Sequence, residues 1–266
     1  MKKIIMFGFN KCDTRLMINL FKMNIRDRYL GSSLGCFWAI TNPLFMLVIY
    51  TYVFGFVFKT KLPGSETTLS YVIWLICGYG PWIALNESIM GAANSVISAS
   101  GLIKNMAFKT ELLPISGALV GLISLSVSLC FLIILLIANG NGISWILVFL
   151  PIVIFVQFAF VAAIGIWLAA IAVFVRDIIQ ILPTVLTAIM FMTPIFYSFE
   201  SMPRIIQYVS LVSPLYLISK GYRVIIIENR MPDMLGLGYV AMLSFVIFYF
   251  GLGAFRRAKG SFDSAI

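Results

Sequence analysis

The sequence has 266 residues, of which 61% are hydrophobic and 11% charged, against about 45–50% and about 25% in ordinary soluble proteins, an apolar excess that no soluble core absorbs. The formal net charge of +9 does not make a nucleic-acid binder, because Lys and Arg stand at the ends of apolar runs and are not gathered on one polar face. The sequence contains no histidine, which excludes a Ser-His-Asp triad and a His-ligated metal within the chain.

At the N-terminal end, Lys11, Arg15, Lys22, Arg26 and Arg28 interrupt the residues that a cleavable signal would need apolar, so none is expected. Arg15, Asn19, Lys22 and Arg26 recur at steps of four, three and four, which stacks them on one face of a helix. An amphipathic interfacial helix over about 11–28 is predicted, with its cations toward lipid headgroups. Two roles fit it equally: a simple anchor, or a grip on a partner or a substrate headgroup.

A helix crosses the hydrocarbon core with about 20 apolar residues. Runs of that kind predict spans at about 34–58, 67–95, 112–138, 143–175, 178–199 and 234–255, with the turn-forming Asn139-Gly140-Asn141-Gly142 separating the third from the fourth. Between the fifth and sixth, Ile205 to Ser219 is free of charge but short, contains Pro214 and is bounded by Arg204 and Lys220. A re-entrant segment over about 202–230 is expected there, sheltered by protein or a water-filled cavity. With both ends cytoplasmic, thirteen Lys and Arg fall inside and six outside, as the positive-inside rule requires. The expected fold is therefore an all-α integral membrane protein of one transmembrane domain, with six transmembrane helices, the interfacial helix, and an outer re-entrant helical hairpin between spans 5 and 6. Cys12, Cys36, Cys77 and Cys130 form no C-x-x-C pair and read as small buried apolar residues.

The chain has no G-x-x-x-x-G-K-[ST] loop, so ATP hydrolysis by that machinery is excluded, and any ATP and Mg would belong to a partner subunit. Glu87 is the one acid inside a predicted span, either a gate residue or a partner within the bundle. Arg176-Asp177 reads as a topological stop at the inner end of span 4. Phe45, Tyr50, Tyr52, Phe54, Phe56 and Phe58 crowd one span and Trp74, Tyr79 and Trp82 the next. Such rings suit stacking on sugar faces and equally suit lipid contact and packing.

The run Arg26-Asp27-Arg28-Tyr29-Leu30-Gly31-Ser32-Ser33-Leu34-Gly35-Cys36-Phe37-Trp38, followed by Pro43, resembles the opening of the bacterial ABC-2 type permeases that export O-antigen, capsule and teichoic-acid chains. Arg26, Arg28 and Tyr29 are then candidate ligands of a lipid pyrophosphate, with headgroup anchoring as the alternative. Gly31 and Gly35, four apart, are expected to let helices approach closely. The stretch from Leu102 to Pro114, with Lys104, Asn105, Phe108, Lys109 and Glu111, is similar to the family's cytoplasmic segment that seats in the ATPase subunit. Pro194, Tyr197, Pro203, Ser213, Pro214 and Arg223 are similar to its outer re-entrant gate. Ser213 stands where Asn is usual, and serves as a helix N-cap as well. The resemblance implies a homodimer joined to two ATP-binding cassette subunits in the inner membrane, with a channel for lipid-linked polysaccharide that Phe45, Tyr50, Tyr52, Phe56, Trp74, Tyr79 and Trp82 would line. No cofactor or metal bound by this chain is implied, and no nucleic acid. An integral membrane enzyme acting on polyprenyl-phosphate sugars is the rival from another class, but Asp13, Asp27, Glu111 and Asp177 are too scattered to argue for one. An exporter of another amphiphile is a second rival.

Overall fold

The computed structural model describes residues 11–29, 31–59, 68–105, 108–140 and 144–262. Leu30, Lys61 and Asn141-Gly142, together with the side chains of Cys12 and Asn105, lie outside the described residues. The described chain is helical throughout, with no strand. Its helices are α1 (Lys11–Arg28), α2 (Trp38–Tyr52), α3 (Thr68–Ser98), α4 (Ser100–Asn105), α5 (Leu112–Ala118), α6 (Gly121–Ala138), α7 (Leu150–Phe174), α8 (Asp177–Met192), α9 (Arg204–Val212), α10 (Pro214–Ile226) and α11 (Met234–Ala258).

Among the described residues five helical stretches are long and apolar enough to cross a membrane: Gly35–Val57, Thr68–Ser98, Leu112–Ala138, Trp145–Phe174 and Met234–Ser261. The stretch expected at 178–199 is helical only over the 16 residues of α8, about 24 Å of rise. It stops at Thr193, whose ψ of 136° is extended because the ring of Pro194 disfavours helical geometry in the residue before it. In the segment from 202 to 230, α9 and α10 meet at Ser213 with a bend of 82°.

The central α3 packs against α5, α6, α7, α8 and α10, and α7 packs along α11. Small residues let α3 and its neighbours touch backbone to backbone. A methyl group on Gly121 would fall 2.1 Å from the Ala84 carbonyl oxygen, and one on Gly117 would fall 2.5 Å from that of Gly91. This corrects the expectation for Gly31 and Gly35. Both adopt positive φ, +83° and +50°, with open space around them, so their use is to turn the chain between α1 and α2. The expectation for cysteines is also corrected: Cys77 is buried, whereas Cys36 and Cys130 are exposed on the outside of the bundle.

Helix α1 and the end of the described chain at Phe262 meet at one end of the bundle. Leu20 of α1 and Phe262 share a buried cluster with Leu112, Leu113, Ile166, Val173, Leu252 and Phe255. On α1, Arg15, Asn19, Lys22 and Arg26 are all exposed, while Leu20 is buried and Leu16 and Met23 lean on the same cluster. The opposite end holds α10, which is buried along most of its length.

Candidate functional site

Three helices with an interior proline surround the main cavity: α2 with Pro43, α3 with Pro81 and α8 with Pro183. The cavity measures about 980 Å³. Its back wall is one face of α3, where Tyr79, Trp82, Asn86, Met90, Asn94 and Ser98 follow at steps of three and four. From Tyr79 to Ser98 that wall rises about 28 Å, close to the thickness of a hydrocarbon core of about 30 Å. At one end the cavity meets Met23, Asn24, Asp27 and Arg28 of α1.

The charged groups at that end are tied down. Arg28 Nη2 lies 3.3 Å from Glu87 Oε1, and Ser124 donates a short hydrogen bond to the other oxygen of Glu87. Glu87 is thus a partner within the bundle. The Arg28 guanidinium also sits 5.7 Å from the centre of the Tyr29 ring. Burial pushes the Tyr29 phenol above its ordinary range, so it stays a neutral donor. Arg26 and Lys22 are exposed beside the mouth, around a second hollow with Asn19 and Asp27.

At the other end the cavity closes on aromatic rings. Tyr50 and Tyr79 lie 4.3 Å apart between centres, Tyr50 and Phe196 5.6 Å, and Phe191 and Phe196 5.6 Å. The Tyr71 hydroxyl donates to the Phe196 carbonyl at 2.8 Å and holds that residue in place. Of the seven aromatics expected to line a channel, Tyr50, Tyr79 and Trp82 reach the cavity wall. Phe45, Tyr52 and Phe56 are exposed on the outer surface of their span, at 62%, 60% and 70%. Trp74 stands against Arg223, whose guanidinium carbon is 3.6 Å from its ring centre. Phe196 stands in the Pro194–Tyr197 run that resembles the family's outer segment, whereas Phe191, Asn42, Asn86 and Asn94 were not singled out in the sequence. The three-and-four spacing of Asn86, Met90, Asn94 and Ser98 along α3 was the signal available for the polar wall.

The residues expected at an outer gate are partly brought together. Arg223, buried, donates through Nη1 to the Pro194 carbonyl at 2.8 Å and through Nη2 to the Ile195 carbonyl at 2.9 Å. Tyr197 donates to the Phe191 carbonyl at 2.6 Å. Pro203 is exposed at the start of α9. Ser213 and Pro214 form the bend, but Ser213 makes no side-chain cap to α10, so its expected N-cap chemistry is not used. Behind the gate, Tyr222 donates to Gln157 Oε1 at 2.7 Å, and Gln157 Nε2 donates to the Pro81 carbonyl at 2.9 Å. This buried relay joins α10 through α7 to Pro81 of α3, the helix whose other face forms the cavity's back wall.

The segment expected to seat in a partner is braced from within. Lys109 Nζ lies 2.5 Å from Asp13, buried Glu111 pairs with Arg256 at 3.0 Å, and Lys259 donates to the Phe108 carbonyl at 3.0 Å. Phe108 packs on the cluster around Leu20 and Phe262. Lys104 on α4 is exposed. Among the described residues no three of Cys, Asp and Glu converge as metal ligands would.

A bundle with, among the described residues, five helices long and apolar enough to cross a membrane defines a polytopic membrane protein, here with a long cavity charged at one end and aromatic at the other. The pattern of the ABC-2 type transporter family matches residues 15–227, and the chain belongs to that family. It is similar over 94% of its length to the O-antigen export system permease protein RfbA of Myxococcus xanthus, at 27% identity and 95% coverage of that protein. RfbA of Klebsiella pneumoniae is 25% identical, over 93% of each chain. The polysialic acid transport protein KpsM of Escherichia coli is 24% identical, over 90% of this chain and 92% of its own.

Proposed function

We propose that this chain is the membrane-spanning permease subunit of an ATP-driven exporter that moves lipid-linked polysaccharide across the bacterial inner membrane. The observation that carries the reading is the membrane-length cavity along α3, with hydrogen-bonding amides on its wall and aromatic rings at one end. Sugars present hydroxyls for the first and apolar C–H faces for the second. The names of the full-length relatives, O-antigen export permease and polysialic acid transport protein, support the same cargo class.

In this reading two copies face each other across their cavities and two ATP-binding cassette subunits, carrying ATP and Mg, dock beneath them. The end shared by α1 and Phe262 is cytoplasmic. It carries the exposed Lys22, Arg26 and Lys104, as a positive-inside end should. There α1 lies in the interface with its exposed cations toward headgroups. Arg26, with Lys22 beside it, receives the pyrophosphate of the carrier lipid. Tyr29 offers a phenol, and Arg28 holds the mouth open through Glu87. Lys104 and the exposed side of α4 seat the ATPase, while Lys109 and Glu111 stiffen the segment so that its movement is passed to α1 and α11. At the outer end α8 serves as a short fifth span, completing six. The α9–α10 pair is re-entrant: α10 sits inside the bundle, and α9 lays Ile205, Tyr208 and Val209, all exposed, on the outer leaflet.

The test is reconstitution in vesicles with the ATP-binding subunit encoded beside it. A stable complex is expected, whose ATP hydrolysis rises when a polyprenyl-pyrophosphate-linked glycan is added and which moves that glycan across the bilayer. Failure to bind any ATP-binding subunit, or hydrolysis indifferent to the glycan with no transfer, rejects the reading.

A further inference from the structure

The cavity wall carries an unusual charge inventory for its size. Among its lining residues Asp27, Arg28 and Glu87 are the ionisable ones of fixed charge at neutral pH, and they lie at the α1 end and midway. Arg28 and Glu87 neutralise one another at 3.3 Å, and Asp27 also lines the hollow that Lys22 and Arg26 line at the mouth. Among the described residues no Lys lines the cavity, and Arg28 is the one cation on its wall. The remaining polar surface is amide and hydroxyl. Asn42, Asn86 and Asn94 line the cavity without a side-chain hydrogen bond to the described residues, so each presents two donors and an acceptor to whatever passes. Met23, Met46 and Met90 supply an apolar, adaptable surface between them.

We propose that the cargo of this permease is a neutral polysaccharide and that the wall formed by Asn42, Asn86, Asn94 and the closed Arg28–Glu87 pair discriminates against polyanionic chains. The proposal rests on the export reading above and specifies its cargo. Passages for anions are lined with Lys or Arg that replace the lost hydration of the charge. A carboxylate or phosphate on every second sugar would pass along a wall on which, among the described residues, no free cation replaces its lost hydration. Neutral hydroxyls lose only hydrogen bonds to water, which the three amides replace. The exposed cations, Lys22 and Arg26, stand at the mouth, where they receive the pyrophosphate of the carrier; that group crosses once per chain, whereas a uronate polymer brings a charge with every second unit.

The experiment compares two probes in vesicles holding the permease and its ATP-binding subunit: a polyprenyl-pyrophosphate-linked neutral hexose polymer, and the same polymer with a uronic acid at every second unit. Export of the neutral polymer is expected to be faster by on the order of tenfold, with the gap narrowing at high salt as charge is screened. Asn86→Lys and Asn94→Lys are expected to raise export of the uronate polymer and lower that of the neutral one. Asp27→Asn, which removes a carboxylate from the mouth without adding bulk, is expected to raise export of the uronate polymer by more than it changes that of the neutral one. Equal export of both polymers by the unaltered protein overturns the charge selection and leaves the export reading standing. Export of neither polymer overturns both.

Discussion

Arg223 of α10 lies flat over Trp74 of α3, its guanidinium carbon 3.6 Å from the ring centre, while both terminal nitrogens bond the carbonyls that α8 leaves open at Pro194 and Ile195. One side chain therefore joins three elements at the outer end of the cavity. Arg223→Gln keeps an amide but cannot reach both carbonyls, and is expected to destabilise the protein by about 2–4 kcal/mol. Trp74→Leu, which removes only the ring, is expected to cost about 1–2 kcal/mol. Thermal unfolding in detergent micelles measures both, and equal losses would show that the ring carries the clamp. Gly78→Ala tests the same fit from the other side, since its new methyl would fall 2.6 Å from Arg223 Nη2.

The Arg28–Glu87 pair makes a different prediction. Arg28 keeps 39% of its side-chain surface exposed, so solvent screens the pair and its coupling energy should be about 0.5–1 kcal/mol in a double-mutant cycle with Arg28→Gln and Glu87→Gln. For export, Arg28→Gln is expected to be impaired and the double variant partly restored, because removing both partners leaves no unpaired carboxylate. Arg26→Gln should be impaired whatever stands at position 87. An unrestored double variant would return Arg28 to the role of a headgroup ligand.

The spans were legible because a charge-free run of about 20 residues has few other uses. The bend at Ser213-Pro214 was legible from a proline in a run too short to cross. The end of α8 also follows from Pro194, whose effect on Thr193 is local. The cavity was less so. Aromatic crowding in the first span pointed to Phe45, Tyr52 and Phe56, yet a helix shows only one face to a cavity, and that face is chosen by the packing of α2 on α3 and α6. The ion pairs Lys109–Asp13 and Arg256–Glu111 join residues far apart in the chain. The likeness to the family's cytoplasmic segment gave Lys109 and Glu111 to a docking element, and nothing near them in sequence reveals Asp13 and Arg256 as internal partners. Gly31 and Gly35 carry the spacing of a packing motif but the backbone of a turn, whereas Gly117 and Gly121, with the same spacing, make the close contact.

The backbone contact at Gly121 yields a sharp stability test. Gly121→Ala places its methyl 2.1 Å from the Ala84 carbonyl oxygen and 2.2 Å from Ser88 Oγ. The first is rigid helix backbone, so α3 and α6 must separate. A loss of about 3 kcal/mol, the upper end of overpacking costs, is expected. Gly253→Ala on α11, which meets no atom within 4 Å, should be neutral or slightly stabilising in the same unfolding assay.

The relay from Tyr222 through Gln157 to Pro81 predicts non-additive losses. Tyr222→Phe leaves Gln157 Oε1 buried without its donor and should cost about 1–3 kcal/mol. Gln157→Leu removes the middle of the relay, and the double variant should lose less than the two single ones together. Strict additivity in the unfolding assay would mean that the two side chains do not act as one network.

The most direct test of the glycan path is photo-crosslinking during export. A photoreactive residue is placed at Met46 or Asn94, on the cavity wall, and for comparison at Phe245, exposed at 57% on α11. In vesicles supplied with ATP, the partner subunit and a labelled lipid-linked neutral glycan, label is expected on Met46 and Asn94 variants and absent from the Phe245 variant. Active export with label on Phe245 alone, or on none of the three, would contradict a path along α3.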